Sequence, residues 1–241
     1  MLTSEPSAFI PLHQPKTGYR YGIDSLLLAR FADLRSSDRV CDLGAGVGIL
    51  ALWALTRRHV AHATAIEVQA ALAELAVKNA EALGVRNRFE ILVENWKKAK
   101  QFLKPHGFHV VMSNPPYRKA ATGKAPPDLS KAIAKHEIAG AMPDLIQAAA
   151  YLMKPSGRFY LMYPPLRLEE LVVELQKARL KIQRMAFIHP YADRPATLVM
   201  VEALRSMPRE LKVEPPVIVY RDPEHYTPEV EAWVGPKRRI V

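Results

Sequence analysis

The chain has 241 residues, enough for one α/β domain with a sizeable core; 49 % are hydrophobic, and no apolar run reaches the roughly 18 residues of a membrane span. Thirty-four Lys and Arg against 24 Asp and Glu leave a net charge of +10, which favours polyanionic partners such as nucleic acid, because each phosphate neutralised releases a counterion. The single cysteine, Cys41, excludes an internal disulfide, and Met1 to Pro11 lacks the basic start and apolar run of a secretion signal, so a cytoplasmic protein is expected.

From about residue 38 the pattern alternates strand and helix. Val40 to Leu43 is a short apolar strand that runs into Asp42-Leu43-Gly44, and a helix is expected to start at Ile49. Ala63 to Ile66 is a second buried strand ended by Glu67; Ala70 to Leu83 is helical and stopped by Gly84. Phe89 to Val93 and Phe108 to Met112 are the third and fourth strands, the last closed by Ser113-Asn114-Pro115-Pro116-Tyr117. Such alternation predicts a parallel sheet covered by helices on both faces. Pro143 to Leu152 and Leu166 to Leu180 read as helices around a strand at Phe159 to Met162. Arg184 to Ile188 and Thr197 to Ala203 flank a turn-rich segment and suit an antiparallel hairpin added to the sheet, and Pro215 to Tyr220 reads as a last edge strand. The whole chain is expected to be one unit: an N-terminal extension (1–37), a core sheet (38–205) and a C-terminal extension (206–241).

Two segments carry chemistry. Asp42-Leu43-Gly44-Ala45-Gly46-Val47-Gly48 lies between the first strand and first helix, where glycines allow a sharp turn and close approach of a ligand to backbone N–H groups. Glu67, about 20 residues on, is placed for two ribose hydroxyls, with Val68 beside it. That pair alone suits a dinucleotide, but G-x-G-x-G spacing together with the later Asn-Pro-Pro-Tyr fits S-adenosylmethionine better. Glu94 and Asn95 follow the third strand, and the Asn95 amide oxygen is positioned to accept from the cofactor's adenine amino group.

Asn114-Pro115-Pro116-Tyr117 suits an exocyclic amine, whose lone pair is delocalised and poorly nucleophilic. Two acceptors, the Asn114 side-chain oxygen and the Pro115 carbonyl, can pull such a nitrogen towards tetrahedral geometry. The two prolines stiffen the segment, and Tyr117 can stack on a planar group. In-line placement of the methyl donor then makes catalysis largely a matter of proximity.

Beyond these two motifs, the chain resembles the bacterial tRNA(Val) adenine-N6 methyltransferases along nearly its whole length. The resemblance rests on Gln14-Pro15-Lys16-Thr17-Gly18-Tyr19-Arg20-Tyr21-Gly22-Ile23-Asp24-Ser25-Leu26-Leu27-Leu28 and on Ala134-Lys135-His136-Glu137. It extends through Ile188-His189-Pro190 to Leu198-Val199, the tail Pro216-Val217-Ile218-Val219-Tyr220, and Tyr226-Thr227-Pro228-Glu229-Val230. It implies a Rossmann-like class I methyltransferase sheet, mostly parallel with an antiparallel C-terminal hairpin strand. It implies N6 methylation of the adenine on the 3′ side of the anticodon, with Asp42 to Gly48 and Glu67 holding S-adenosylmethionine. Tyr21 and Asp24 are implied near the cofactor, Asn114 to Tyr117 on the target base, and His136-Glu137 in ordering a loop, 118–140, that helps grip RNA; the basic Arg118, Lys119 and Lys124 directly after the motif are, with His136, the expected contacts to the anticodon stem-loop of tRNA. Asn95 departs from the acid usual at its position, with an effect on cofactor affinity.

Other readings of the same motifs are glutamine methylation in a release factor, N6-adenine methylation of other RNA or DNA, and guanine-N2 methylation of ribosomal RNA. A non-catalytic RNA-binding protein on this fold is a further one. Only about 38 residues precede the first strand, too few for a substrate-docking helical domain, and no DNA-reading domain or duplicated domain is visible. His59 and His62 lack further ligands, so no metal site is expected, and Cys41 reads as a core thiol. The oligomeric state is left open.

Overall fold

A computed structural model describes residues 10, 12–15, 21–115, 142–205 and 210–235. Helix α1 (Ile23–Phe31) precedes β1 (Arg39–Leu43), α2 (Ile49–Arg57), β2 (His62–Glu67), α3 (Ala70–Ala82), β3 (Phe89–Val93), the short α4 (Ala99–Phe102) and β4 (Phe108–Ser113). After the undescribed residues come α5 (Met142–Leu152), β5 (Met153–Tyr163), α6 (Leu168–Lys177), β6 (Leu180–His189) and β7 (Leu198–Arg205). Short strands β8 (Lys212–Val213), β9 (Val217–Ile218), β10 (Tyr220–Asp222) and β11 (His225–Tyr226) lead into α7 (Pro228–Val234).

Among the described residues the main sheet runs β3-β2-β1-β4-β5-β7-β6-β8, with β9 also against β6. Strands β1 to β5 are mutually parallel, and β7 is antiparallel to both β5 and β6. The expected hairpin is therefore present, but its second strand is inserted between β5 and β6. The crossover through α6 leaves a gap one strand wide, and β7 returns to fill it.

Alternation along the strands sorts side chains to the two faces. Val40, Met112, Tyr160 and Met200 join Leu27, Leu52, Ala76 and Val230 from α1, α2, α3 and α7. Cys41, Val111, Phe159 and Val201 join Leu145, Ile146, Leu171 and Leu175 from α5 and α6. The result is a sheet between two helical layers, buried on both faces as a parallel sheet must be.

Three expected elements change at their ends. The helix read as Leu166 to Leu180 is α6, Leu168–Lys177: Pro165 opens a 3-10 turn before it, and Arg179 takes φ +58°, after which Leu180 already belongs to β6. The strand read as Phe159 to Met162 begins at Met153, directly after α5. The edge strand read as Pro215 to Tyr220 is corrected. Only Val217–Ile218 forms a strand on β6: Pro215 and Pro216 have no N–H with which to start the ladder earlier, and after the Val219 amide donates to the His189 carbonyl the chain turns at Tyr220 into the separate β10-β11 pair.

Helices α1 and α7 fall in segments that the sequence reading assigns only by family resemblance. The start signal of α7 is plain: the Thr227 side chain caps the Val230 amide and Pro228 occupies the first turn.

Candidate active site

In parallel α/β sheets ligands gather at the carboxyl ends of the strands. Here that edge carries the ends of β1, β2, β3 and β4, which are neighbours in the order β3-β2-β1-β4. At the end of β1 the chain turns through Gly44, Gly46 and Gly48, at φ of +79°, +56° and +88°. Such left-handed angles suit glycine. The Gly44 and Ala45 amides donate to the Ile66 carbonyl of β2 at 2.9 and 3.1 Å, so the turn is tied down to the sheet. Trp96, buried after β3, brings its indole nitrogen against Gly44.

Glu67, buried at the end of β2, accepts the Gly46 N–H on Oε2 at 2.8 Å and the Gln69 N–H on Oε1 at 2.9 Å. Its carboxylate therefore holds the glycine turn in shape. Val68 and Val93, at the ends of β2 and β3, are 44 % and 52 % exposed, two apolar side chains left open beside Glu67. Glu94 is exposed. The Asn95 Oδ1 accepts the Lys97 N–H at 2.9 Å and caps a 3-10 turn, so in this structure the acceptor assigned to a cofactor amine serves the local backbone.

Asp42 lies under the turn with both carboxylate oxygens buried and no hydrogen-bond partner among the described residues. Burial pushes its carboxyl up to about 7; the Ala51 amide of α2 lies near enough to pull it down, and the Glu67 charge adds to the rise. The amide contact is not a formed hydrogen bond, so burial governs the group.

The N-terminal segment is laced to this turn. Asn79 of α3, also buried, donates to the Val47 and His13 carbonyls at 3.1 Å each and accepts the His13 amide at 2.7 Å. Tyr21 is buried, its hydroxyl donating to the Ile10 carbonyl at 3.4 Å. Asp24, at the start of α1, has its carboxyl raised by burial; its charge in turn raises the Tyr220 and Tyr226 hydroxyls, already lifted by burial. Rings of Tyr191, Tyr220 and Tyr226 follow one another at 5.7 and 5.5 Å.

At the end of β4, the Ser113 hydroxyl donates to the Leu43 carbonyl at 2.7 Å and locks β4 to β1 beside the glycine turn. Asn114 comes next. Its Nδ2 donates to the Ser25 hydroxyl oxygen of α1 at 2.9 Å, and its Oδ1 is buried with no partner among the described residues. Pro115 is buried. Pro116, Tyr117, Arg118, Lys119, Lys124 and His136 lie outside the described residues.

The structure thus brings Asp42, the glycines, Glu67, Val68, Glu94, Asn95 and Asn114 to one edge, with Tyr21 just before α1 and Asp24 in its first turn. Sequence reasoning did not single out Ser25, Asn79 or Ser113. Only a buried polar residue within an apolar helical pattern marks Ser25 and Asn79 in advance, and nothing local marks their partners. Among the described residues there is no cluster of side chains able to hold a metal ion and no helix long and apolar enough to cross a membrane.

The same architecture recurs in solved methyltransferases. One described as a predicted O-methyltransferase from Agrobacterium tumefaciens superposes with a TM-score of 0.68 at 24 % identity, covering 88 % of this chain and 96 % of the other. A ribosomal protein L11 methylase from Lactobacillus delbrueckii subsp. bulgaricus gives 0.55 at 16 % identity, over 76 % and 77 %. At these identities the likeness is one of fold. The chain belongs to the methyltransferase small domain family, whose model matches residues 22–165.

Two relatives extend the match over most of the chain, and both carry the name tRNA1(Val) (adenine(37)-N6)-methyltransferase. That of Dyadobacter fermentans is 25 % identical over 210 residues, 87 % of this chain and 85 % of its own length. That of Tolumonas auensis is 29 % identical over 225 residues, 90 % and 89 %.

Proposed function

We propose that this protein transfers a methyl group from S-adenosylmethionine to the exocyclic N6 of an adenine in tRNA, at adenine 37 of tRNA1(Val) as its relatives are named. The observation that carries the reading is Asn114: an amide fixed by its nitrogen, with its oxygen buried and without a partner among the described residues, one strand away from a glycine turn. A buried acceptor without a partner costs free energy, and a substrate hydrogen relieves that cost.

The residues present fit the cofactor. At Gly44 an added Cβ would meet, among the described residues, only the Trp96 indole nitrogen at 4.0 Å, so the turn leaves room there for the methionine part to approach the backbone. Glu67 stands where ribose hydroxyls need acceptors, and a carboxylate has about four lone-pair positions to divide between them and the turn amides. Open Val68 and Val93 suit the faces of an adenine ring. When bound, the cofactor supplies an electrophilic methyl on a sulfonium sulfur.

Asn114 Oδ1 and the Pro115 carbonyl oxygen accept the two hydrogens of the target N6. This draws the nitrogen lone pair out of conjugation and aims it at the methyl, as acceptors preorganised in a buried site do without reorganisation cost. With the cofactor bound, its methyl would pass from sulfur to N6 while the Asn114 and Pro115 oxygens hold the N6 hydrogens, one of which would leave as a proton to solvent. Tyr117 stacks on the extruded base, and Arg118, Lys119, Lys124 and His136 contact the anticodon stem-loop. The net charge of +10 suits a polyanionic substrate better than a release factor.

The test is transfer of labelled methyl from S-adenosylmethionine to unmodified total tRNA, followed by nucleoside analysis, with release factor and duplex DNA as parallel substrates. Labelled N6-methyladenosine in tRNA is the expected product. Label in the release factor with silent tRNA overturns the substrate while keeping the chemistry. Asn114→Ala is expected to lower kcat by about 10²- to 10³-fold, as loss of one preorganised hydrogen-bonding group does. Calorimetry should find cofactor binding near normal.

A further inference from the structure

We propose that Ser25 is a positioning residue that decides which end of the Asn114 amide faces the substrate. The inference rests on the function proposed above and goes further into the same site. An asparagine side chain is almost symmetrical in shape but opposite in chemistry at its two ends, one accepting and the other donating twice. Only the orientation with Oδ1 towards the substrate accepts an amine hydrogen. The reversed side chain meets that amine with N–H groups, donor against donor.

What selects the orientation lies 89 residues earlier, in α1. Ser25 is 1 % exposed and its hydroxyl oxygen takes a hydrogen from Asn114 Nδ2 at 2.9 Å. Burying an N–H without a partner is tolerated less often than burying a carbonyl that lacks one. A serine hydroxyl can meet either end of an amide, so the choice falls on which orphan is left: accepting from Nδ2 leaves it on the oxygen side, where Oδ1 is found buried with no partner among the described residues. Leu26, Leu27 and Leu28 bury the same helix in the core and Ser113 locks the end of β4, so the two partners are held from both sides. Without the serine hydroxyl nothing at this contact distinguishes the two ends, and part of the enzyme presents the wrong one.

The experiment compares Ser25→Ala in two backgrounds, wild type and Asn114→Asp, by single-turnover methyl transfer at saturating tRNA and cofactor. It is run at about pH 8.5, well above the ordinary aspartate value of about 4, to favour the ionised carboxylate at 114. In wild type the rate constant is expected to fall about 10-fold, the worth of one hydrogen bond, with cofactor Kd unchanged. In Asn114→Asp both terminal atoms accept, orientation loses its meaning, and Ser25→Ala should change the rate by less than about 2-fold. Equal losses in both backgrounds make Ser25 a packing residue and overturn the proposal, as does no loss in wild type.

A second readout needs no turnover. The Asn114 side-chain amide protons, followed by ¹⁵N-resolved solvent exchange, should be slowed in the wild-type enzyme and accelerated by Ser25→Ala; unchanged exchange also overturns the proposal. If wild-type enzyme leaves tRNA unlabelled, the function fails first, and this second readout still tests the hydrogen bond from Asn114 Nδ2 to Ser25 on which the orientation rests.

Discussion

Gly48→Ala probes the turn that shapes the proposed cofactor site. Gly48 caps α2 at φ +88° and ψ +16°, and a Cβ there would lie 3.1 Å from Leu52 Cδ1 and 3.2 Å from Ala76 Cβ. The left-handed backbone alone costs a non-glycine residue about 1–2 kcal/mol. Leu52 can rotate away at modest cost, but the Ala76 methyl has no rotamer and moves only with α3, so crowding adds about 1–2 kcal/mol more. The expected loss of stability is therefore about 2–4 kcal/mol. Gly84→Ala is the control: its φ is +68° but nothing lies within 4 Å of the added Cβ, so it should cost only the backbone term of about 1–2 kcal/mol. Urea unfolding of both variants, without cofactor, measures the difference. Equal midpoints for the two would refute the claim that α2 and α3 close tightly behind the turn.

Arg158 donates to Asp38 at 2.6 Å with side-chain exposures of 12 % and 4 %, so Arg158→Ala leaves a buried carboxylate with the Arg35 amide but no opposite charge and should cost about 3 kcal/mol in urea unfolding. A loss below about 1 kcal/mol would place this pair with ordinary surface ion pairs. Asp42→Asn should change how stability depends on pH. The wild-type carboxyl sits near 7 in the folded protein against an ordinary value of 3.8, so its favourable contribution is complete below pH 4 and lost as pH rises to 7. The variant should gain in urea midpoint over wild type at pH 8 and lose that gain towards pH 4; parallel pH profiles would contradict the burial argument. Neutralising Lys119 and Lys124 should weaken tRNA binding and reduce the salt slope by about one unit for each phosphate no longer neutralised. An unchanged slope removes both from the RNA-binding surface.

The core of the fold was legible because its signals are local. The alternation from Val40 to Ser113 places four strands within a residue or so of their ends, and Gly84 does stop α3. The glycine turn and Asn114 were legible for the same reason: each is a short motif at a strand end. The insertion of β7 between β5 and β6 was not, since strand order depends on which edge remains open after a crossover, not on the pattern of Leu198–Arg205. Ser25 and Asn79 escaped because their partners lie 89 and 66 residues away. Asn95 was read by its position after a strand, yet a backbone amide two residues on competes for the same oxygen.

Helices α1 and α7 pack together, and the Arg30 guanidinium of α1 lies 5.7 Å from the ring of Trp233 in α7. The helix that steadies Asn114 thus leans on a piece of chain some 200 residues later in sequence. A ribosome makes α1 early and α7 late, and α1 waits through the synthesis of every strand of the main sheet before that support arrives. A nascent chain halted before Thr227 already holds the glycine turn and Asn114, but its first helix has no Trp233 to rest against. The last support of the helix that holds Asn114 is therefore a late event in the life of each molecule.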